Sequence, residues 1–352
     1  METIKLLKLI RFDLLRGDAL RMLGFLTAAF AAVVAYLRKF LPRSLFAGLI
    51  VVLLLADLLP ICRRYMSQLV SKSQMDSHFL ETDLDRFLRQ DPEPHRIFPL
   101  GELSGDAHWS YFHQSVEGYH PAKLRIYQDL RESCFFEGKD EGFLNVQAPI
   151  NWNVVNMLNA KYLIASQQLS HPFLEPAFYD QTQKLWAMRN TRVLPRAFCV
   201  GQTELISDRN ARLQRLNEAS FRPDSTAIVE KPLTETIQAP TAWSAKVTRY
   251  EPNYVDLSVT NDAQTLLVLS EIYYPAGWHA AVNGRPAEIY KVNHVLRGVV
   301  VPAGESKVSF KLEPQSFKTS VTVTAVSGAV VYLLLIVAVA PYFLPILRKV
   351  RA

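Results

Sequence analysis

The sequence predicts a membrane protein of three α-helical spans plus an extracytoplasmic α+β region that ends in an antiparallel β-sandwich. Three observations carry that expectation. Residues 319–347 hold no Asp, Glu, Lys, Arg or His over 29 positions, and a helix needs only ~20 apolar residues to cross a bilayer core. Two further apolar runs, Met22–Leu37 and Ser44–Cys62, lie near the N-terminus. From Ser225 to Glu313, short alternating segments recur at strand length with turn residues between them.

The charge distribution agrees. Thirteen of the 39 lysines and arginines, but only four of the 33 acids, lie in residues 1–64 and 348–352. The stretch 65–347 is left with 26 bases against 29 acids, so it is slightly acidic. The excess positive charge therefore flanks apolar spans, where lipid headgroups and the cost of moving charge into hydrocarbon hold it. A nucleic-acid partner gets no support from this distribution, and none is expected.

In chain order, residues 1–17 read as an amphipathic basic arm, with Ile4, Leu7, Leu9, Ile10 and Leu14 set against Lys5, Lys8, Arg11 and Arg16. That pattern fits a helix lying in the membrane interface and equally the solvated start of a longer first helix. Residues 18–64 hold two transmembrane helices, 65–222 a mixed α/β subdomain, 223–316 the sandwich, 319–347 the last transmembrane helix and 348–352 a basic tail. Flanking bases split six against seven between the two sides, so charge bias sets no orientation. That tie suggests that the chain lacks an N-terminal membrane portion. Asp57 is the one acid inside a span, a functional candidate by default, although a place at headgroup level beside Arg63 and Arg64 fits better.

Within the globular part, Thr82–Gln90 reads as a short capped helix closed by prolines. Its Asp83 and Asp85 spell a DxD, but in a first helical turn acids serve the helix dipole, so no metal site is assigned. His95–Leu100 is a strand, Val154–Ala165 a helical turn running into a buried strand, and Leu194–Val200 a strand. Pro121–Leu130 can begin a helix with proline in its first turn. Seven strands follow: Lys246–Tyr250, Tyr254–Thr260, Thr265–Glu271, Trp278–Val282, Ala287–Tyr290, Val295–Val301 and Lys307–Glu313. Asn283-Gly284 is a type I′ hairpin signal. Cys134 and Cys199 either pair or stand as two isolated thiols, the reading their spacing favours. A lone arginine such as Arg196 is usually an ion-pair partner.

The densest stretch is Trp109–Leu130, WSYFHQSVEGYHPAKLRIYQDL. It supplies Tyr111, His113, Tyr119, His120, Lys123, Arg125, Tyr127 and Asp129 as candidate substrate-binding residues. Aromatic faces stack on sugar C–H surfaces, and guanidinium groups fork onto oxyanions. The bland alternative is an aromatic cluster under a loop. His113 and His120 lack a third ligand nearby, so no metal or other cofactor is expected. Glu271, Tyr274 and Trp278, with Tyr273, would form a second surface on the sandwich.

Several strings, in order, resemble the C-terminal part of the YfhO family of bacterial multi-pass membrane proteins. They are Arg63-Arg64-Tyr65, YFHQSVEGYHPAKLRIYQDL, MLNAKYLI, LPRAFCV, and SEIYYPAGWHAAVNG followed by VLRGVVVPAG, spread over roughly 55–330. That family resembles C-type glycosyltransferases, which take sugar from a polyprenyl-phosphate carrier. The resemblance implies a multi-pass protein of the bacterial cytoplasmic (inner) membrane with its large domain extracytoplasmic. Its partners would be the lipid bilayer, a polyprenyl-phosphate-sugar, an envelope glycopolymer and a separately encoded N-terminal membrane portion. In such enzymes the catalytic acid sits in an early loop with no counterpart here, so no catalytic residue is assigned and this chain alone is not expected to be active. The alternative is a non-catalytic envelope protein whose ectodomain binds glycan or a partner protein. A soluble hydrolase is disfavoured, since no GxSxG or HExxH occurs.

Overall fold

The structure, a computed structural model, describes residues 2–66, 70–118, 120, 122–136 and 149–350, the side chains of 2–11, 14, 64, 65 and 338–350 excepted. It divides into two units, Met1–Leu80 and Glu81–Ala352.

The first unit is helical: α1 (Glu2–Leu37), α2 (Arg43–Met66) and α3 (Lys72–His78). Helix α1 runs without a break through residue 17, so the basic arm is backbone-continuous with the first apolar helix. Lys39, at φ 61°, turns the chain between α1 and α2. The segments Leu15–Leu37 and Arg43–Arg63 are long and apolar enough to cross a bilayer. Their large apolar side chains, Leu26 and Leu54 among them, face outward, an arrangement that water penalises and lipid does not.

The second unit opens with α4 (Asp83–Arg89). Its capping box is reciprocal: the Asp85 N–H donates to the Thr82 hydroxyl at 3.1 Å and the Thr82 N–H to the Asp85 carboxylate at 2.8 Å. Next come β1 (Arg96–Pro99), a 3-10 turn (Gly101–Gly105), α5 (Ala107–Phe112), α6 (Arg125–Cys134), α7 (Trp152–Met157), β2 (Ala160–Ala165), β3 (Leu174–Asp180) and β4 (Leu185–Asn190). The four strands form one sheet in the order β1-β2-β4-β3, parallel between β1 and β2 and antiparallel elsewhere. Helix α6 starts four residues beyond Pro121, a position outside the described residues.

The remaining elements are β5 (Ala197–Val200), β6 (Gln202–Leu205), α8 (Arg209–Leu216), β7 (Thr226–Val229), β8 (Trp243–Glu251), β9 (Tyr254–Asn261), β10 (Thr265–Ile272), β11 (Trp278–Val282), β12 (Arg285–Ala287), β13 (Tyr290–Val292), β14 (Leu296–Val301), β15 (Gly304–Leu312) and α9 (Gln315–Val350). They build a six-stranded sheet, β5-β10-β14-β13-β7-β6, and a five-stranded one, β12-β11-β15-β9-β8. Pairing is antiparallel except between β6 and β7.

The six-stranded sheet is covered on both faces. Along β10, Leu266 and Val268 enter the core shared with α6, α7, α8 and the four-stranded sheet, while Leu267 and Leu269 enter the core against the five-stranded sheet. This double burial explains why β10 reads as a solid apolar run rather than an alternation. In β9, by contrast, Val255, Leu257 and Val259 are buried and the residues between them are not, as expected for a sheet with one wet face.

Two sequence readings shift. Ala287–Tyr290, expected as one strand, is split: β12 pairs with β11 in one sheet and β13 with β14 in the other, so the chain changes sheets at Glu288 and Ile289. The six-stranded sheet also takes β5 and β6 from before residue 223. At Asn283-Gly284 both φ angles are positive, 51° and 78°, the type I′ geometry the dipeptide favours. Cys134 and Cys199 are both buried free thiols, and burial pushes each up to about 12, so neither is a reactive thiolate. Gln315–Val337 of α9 is the third segment of bilayer-crossing length and composition.

Candidate functional site

A cleft of about 420 Å³ opens between β1, the segment Ser115–Gly118 and the start of α6. Tyr127 and Arg131, four residues apart in α6 and so on one helical face, line it together with Lys123, which precedes the helix. Glu117, Arg96 and His120 complete its polar lining.

Glu117 is the carboxylate of this cleft. Its side chain is 2 % exposed and accepts from Arg131 Nε at 2.7 Å. Burial raises its pKa above the ordinary value, and the charges of Arg131 and Lys123 offset this only in part. The Tyr127 hydroxyl donates to the Val116 carbonyl, and burial together with the charge of Glu117 pushes the phenol upward. Among the described residues, Arg96, Lys123 and Arg131 line the cleft with the Glu117 carboxylate; Arg131 is paired with Glu117 and Arg96 with Glu271.

Behind the cleft, Arg96 belongs to a buried cluster. Its Nη1 donates to the Leu158 carbonyl at 2.8 Å and to Ser270 Oγ at 3.0 Å, and its Nη2 to Glu271 Oε1 at 3.0 Å. The same oxygen accepts from Arg196 Nη1 and from the Tyr250 hydroxyl, each at 2.9 Å. Burial alone would raise Glu271, but the charges of Arg96 and Arg196 win and hold its carboxyl low. A third guanidinium, Arg297, lies 4.0 Å over the Trp278 ring. Burial lowers Arg196 and Arg297 to about 10, so both stay charged at neutral pH. Arg196 Nε and Arg297 Nε and Nη1 meet no acceptor among the described residues. Among the described residues, three guanidinium charges gather around this one carboxylate in a weakly screened interior.

The other residues expected from sequence are dispersed. Tyr111 is exposed on α5, edge-on to Phe112. His113 Nε2 lies 2.8 Å from Asp85 Oδ1 and His108 Nε2 lies 2.9 Å from Oδ2, so the acid that caps α4 also ties down two histidines. Burial would raise Asp85, but His113, the two Thr82 hydrogen bonds and the charge of His108 carry it well below the usual carboxylate range. Arg125, largely exposed, turns back to buried Asp129 at 2.7 Å, where Arg209 also bonds. His294 lies 3.6 Å from Asp129, but burial pushes it down to about 4, so this contact carries no charge pair at neutral pH. Tyr119 lies outside the described residues. Glu271 reaches the cleft only through Arg96. Tyr274 and Trp278 share a separate hollow of about 520 Å³. Among the described residues no group of three or more His, Cys, Asp or Glu is placed to hold a metal ion.

Sequence reading missed Glu117, Arg131, Arg96 and Arg297. The four-residue spacing from Tyr127 within α6 was the available signal for Arg131. The partners of Arg96 and Arg297 are 175 and 25 positions away, and no local pattern marks them.

Three apolar helices of bilayer-crossing length, beside several mostly antiparallel β-sheets, fit a membrane protein. Residues 216–324 match the family model described as bacterial membrane protein YfhO. That stretch runs from the end of α8 into α9 and is less than half of the chain; over it the chain is similar to the YfhO family. No curated protein and no solved structure matches.

Proposed function

We propose that this chain is a portion of a YfhO-like integral membrane glycosyltransferase acting on cell-envelope glycopolymers. Its three apolar helices would hold the globular part at the outer face of the bacterial cytoplasmic membrane. The cleft of Arg96, Glu117, His120, Lys123, Tyr127 and Arg131 would receive the anionic head of a polyprenyl-phosphate-sugar. The observation that carries this reading is the gathering of Arg96, Lys123 and Arg131 on one cleft beside His120 and Tyr127. In the transfer, an acceptor hydroxyl loses its proton to a carboxylate base and attacks the anomeric carbon. The bond from that carbon to the phosphate oxygen breaks, and polyprenyl phosphate leaves. Lys123, Arg96 and Arg131 would stabilise the charge growing on that phosphate. The base itself would come from membrane helices other than these three.

The test is a titration of the detergent-solubilised chain with a short-chain polyprenyl phosphate. Lys123→Ala should weaken binding by about tenfold, the loss expected for one charge-assisted hydrogen bond of ~1.4 kcal/mol. Equal affinity in wild type and variant would remove the cleft from the proposal. Binding of envelope glycan without binding of the phosphate carrier would instead identify a non-catalytic glycan-holding protein. A topology reporter fused after Tyr65 tests the orientation, since a cytoplasmic result rules out the lipid-linked donor.

A further inference from the structure

The chain passes from β15 to α9 through Glu313 and Pro314 alone, and the loop 273–278 is seated on that passage. The Glu313 N–H donates to the Gly277 carbonyl at 2.6 Å. Gly277 has a φ of +88°, and a Cβ there would meet the Cα of Pro314 at 2.6 Å, so the close approach requires glycine. The loop is thus fixed to the root of an apolar helix.

Its depth follows from helix geometry. The uncharged run begins at Thr319, one residue after Lys318. Five residues of helix, from Pro314 to Thr319, rise about 7 Å. The headgroup layer on each side of a bilayer is about 5–8 Å deep. With α9 crossing the bilayer, the loop falls within that layer.

The side chains there have the matching chemistry. Tyr274 is 44 % exposed and Phe317 67 %. Trp278 has one face against Arg297, and it lines the hollow with Tyr273, Tyr274, His279 and Lys311. Tyr and Trp concentrate at membrane–water boundaries because one end of the ring system is apolar and the other hydrogen-bonds.

We propose that the loop 273–278 and the first turn of α9 form an interfacial seat that takes phospholipid into the hollow beside Trp278 and sets the height of the sandwich above the bilayer. This rests on α9 spanning a membrane. The full chain, reconstituted in phosphatidylcholine–phosphatidylglycerol vesicles, would be probed with lipids brominated either near the acyl carbonyl or near the acyl terminus. Carbonyl-level bromine should quench part of the tryptophan fluorescence, Trp278→Phe should lose that part, and Tyr274→Trp should gain a quenchable component. Acyl-terminal bromine should quench less. Equal quenching in all three proteins, with the chain floating with the vesicles, overturns the seat and leaves the membrane reading standing. Failure to float with the vesicles overturns both.

Discussion

Arg96 Nη2 and Glu271 Oε1 meet at 3.0 Å, joining β1 of the four-stranded sheet to β10 of the six-stranded sheet. Tyr250, on β8 of the five-stranded sheet, reaches the same oxygen. One carboxylate oxygen therefore ties three sheets together at a point where apolar side chains alone would not fix their register. Such a junction is sensitive to the loss of its single anion.

Glu271→Gln should destabilise the globular part by about 3–5 kcal/mol, the range seen when one partner of a buried ion pair is removed and the others stay charged. The wild-type carboxyl is held below its ordinary range. Its contribution is therefore complete above the unfolded-state pKa of roughly 4.3 and fades as pH falls through the lower folded value. Denaturant melts of wild type and variant should converge in acid; a constant gap down to the lowest pH would mean that the carboxylate charge is not what holds the junction.

Glu117 acts in the opposite sense. Its pKa is raised, so its negative charge appears in the cleft only as pH climbs past the ordinary carboxylate range. Polyprenyl phosphate affinity should then weaken as pH rises through that raised value. Glu117→Gln should bind several-fold tighter at neutral pH and lose the pH dependence. An isothermal titration series over mildly acidic to neutral pH checks both, and an unchanged profile in the variant would place the titrating group elsewhere.

How far the sequence reaches is clear from particular residues. The Asn283-Gly284 turn is a local signal and was readable. Thr265–Glu271 was legible as a strand but not as one buried on both faces, which depends on the layers packed against it. The split between β12 and β13 was not readable, because it depends on which sheet each half finds. Local chemistry likewise made His113 look like a ligand. Asp85, 28 positions earlier, takes it at 2.8 Å, and nothing local in the sequence announces that contact. Glu271 was visible as a polar residue on a strand, but its role comes from Arg96 and Arg196, which are distant in sequence.

The seat of the loop 273–278 on Pro314 gives a further expectation. Gly277→Ala would place a methyl group against fixed backbone and force an L residue into positive φ. Each strain costs of order 1–3 kcal/mol. A thermal melt of the solubilised chain should fall accordingly, while Gly284→Ala, where a Cβ meets open space, should carry only the backbone part of the cost. Equal losses in the two variants would show that the contact with Pro314 contributes nothing.

Within the helical unit, Arg21 Nη2 lies 2.9 Å from Asp57 Oδ1. Both belong to segments of bilayer-crossing character, and Phe25, Leu26, Leu53 and Leu54 line the hollow they share. Asp57→Ala leaves the Arg21 guanidinium with the main-chain carbonyl of residue 57 but no carboxylate. Arg21 lies toward the end of its segment, where the cost falls below the ~2.5–3.5 kcal/mol of an arginine at the centre of a span. The cost comes from the stranded charge rather than the missing contact, so three variants separate the two. Asp57→Ala should lower the melting temperature in detergent and raise protease sensitivity. The exchange Arg21→Asp with Asp57→Arg should recover most of the loss. The doubly neutral Arg21→Leu with Asp57→Leu should match or exceed wild type, since a buried pair replaced whole by apolar side chains is often neutral or stabilising. A doubly neutral variant as weak as Asp57→Ala would mean that the pair itself, and not the avoidance of an orphan charge, holds α1 to α2.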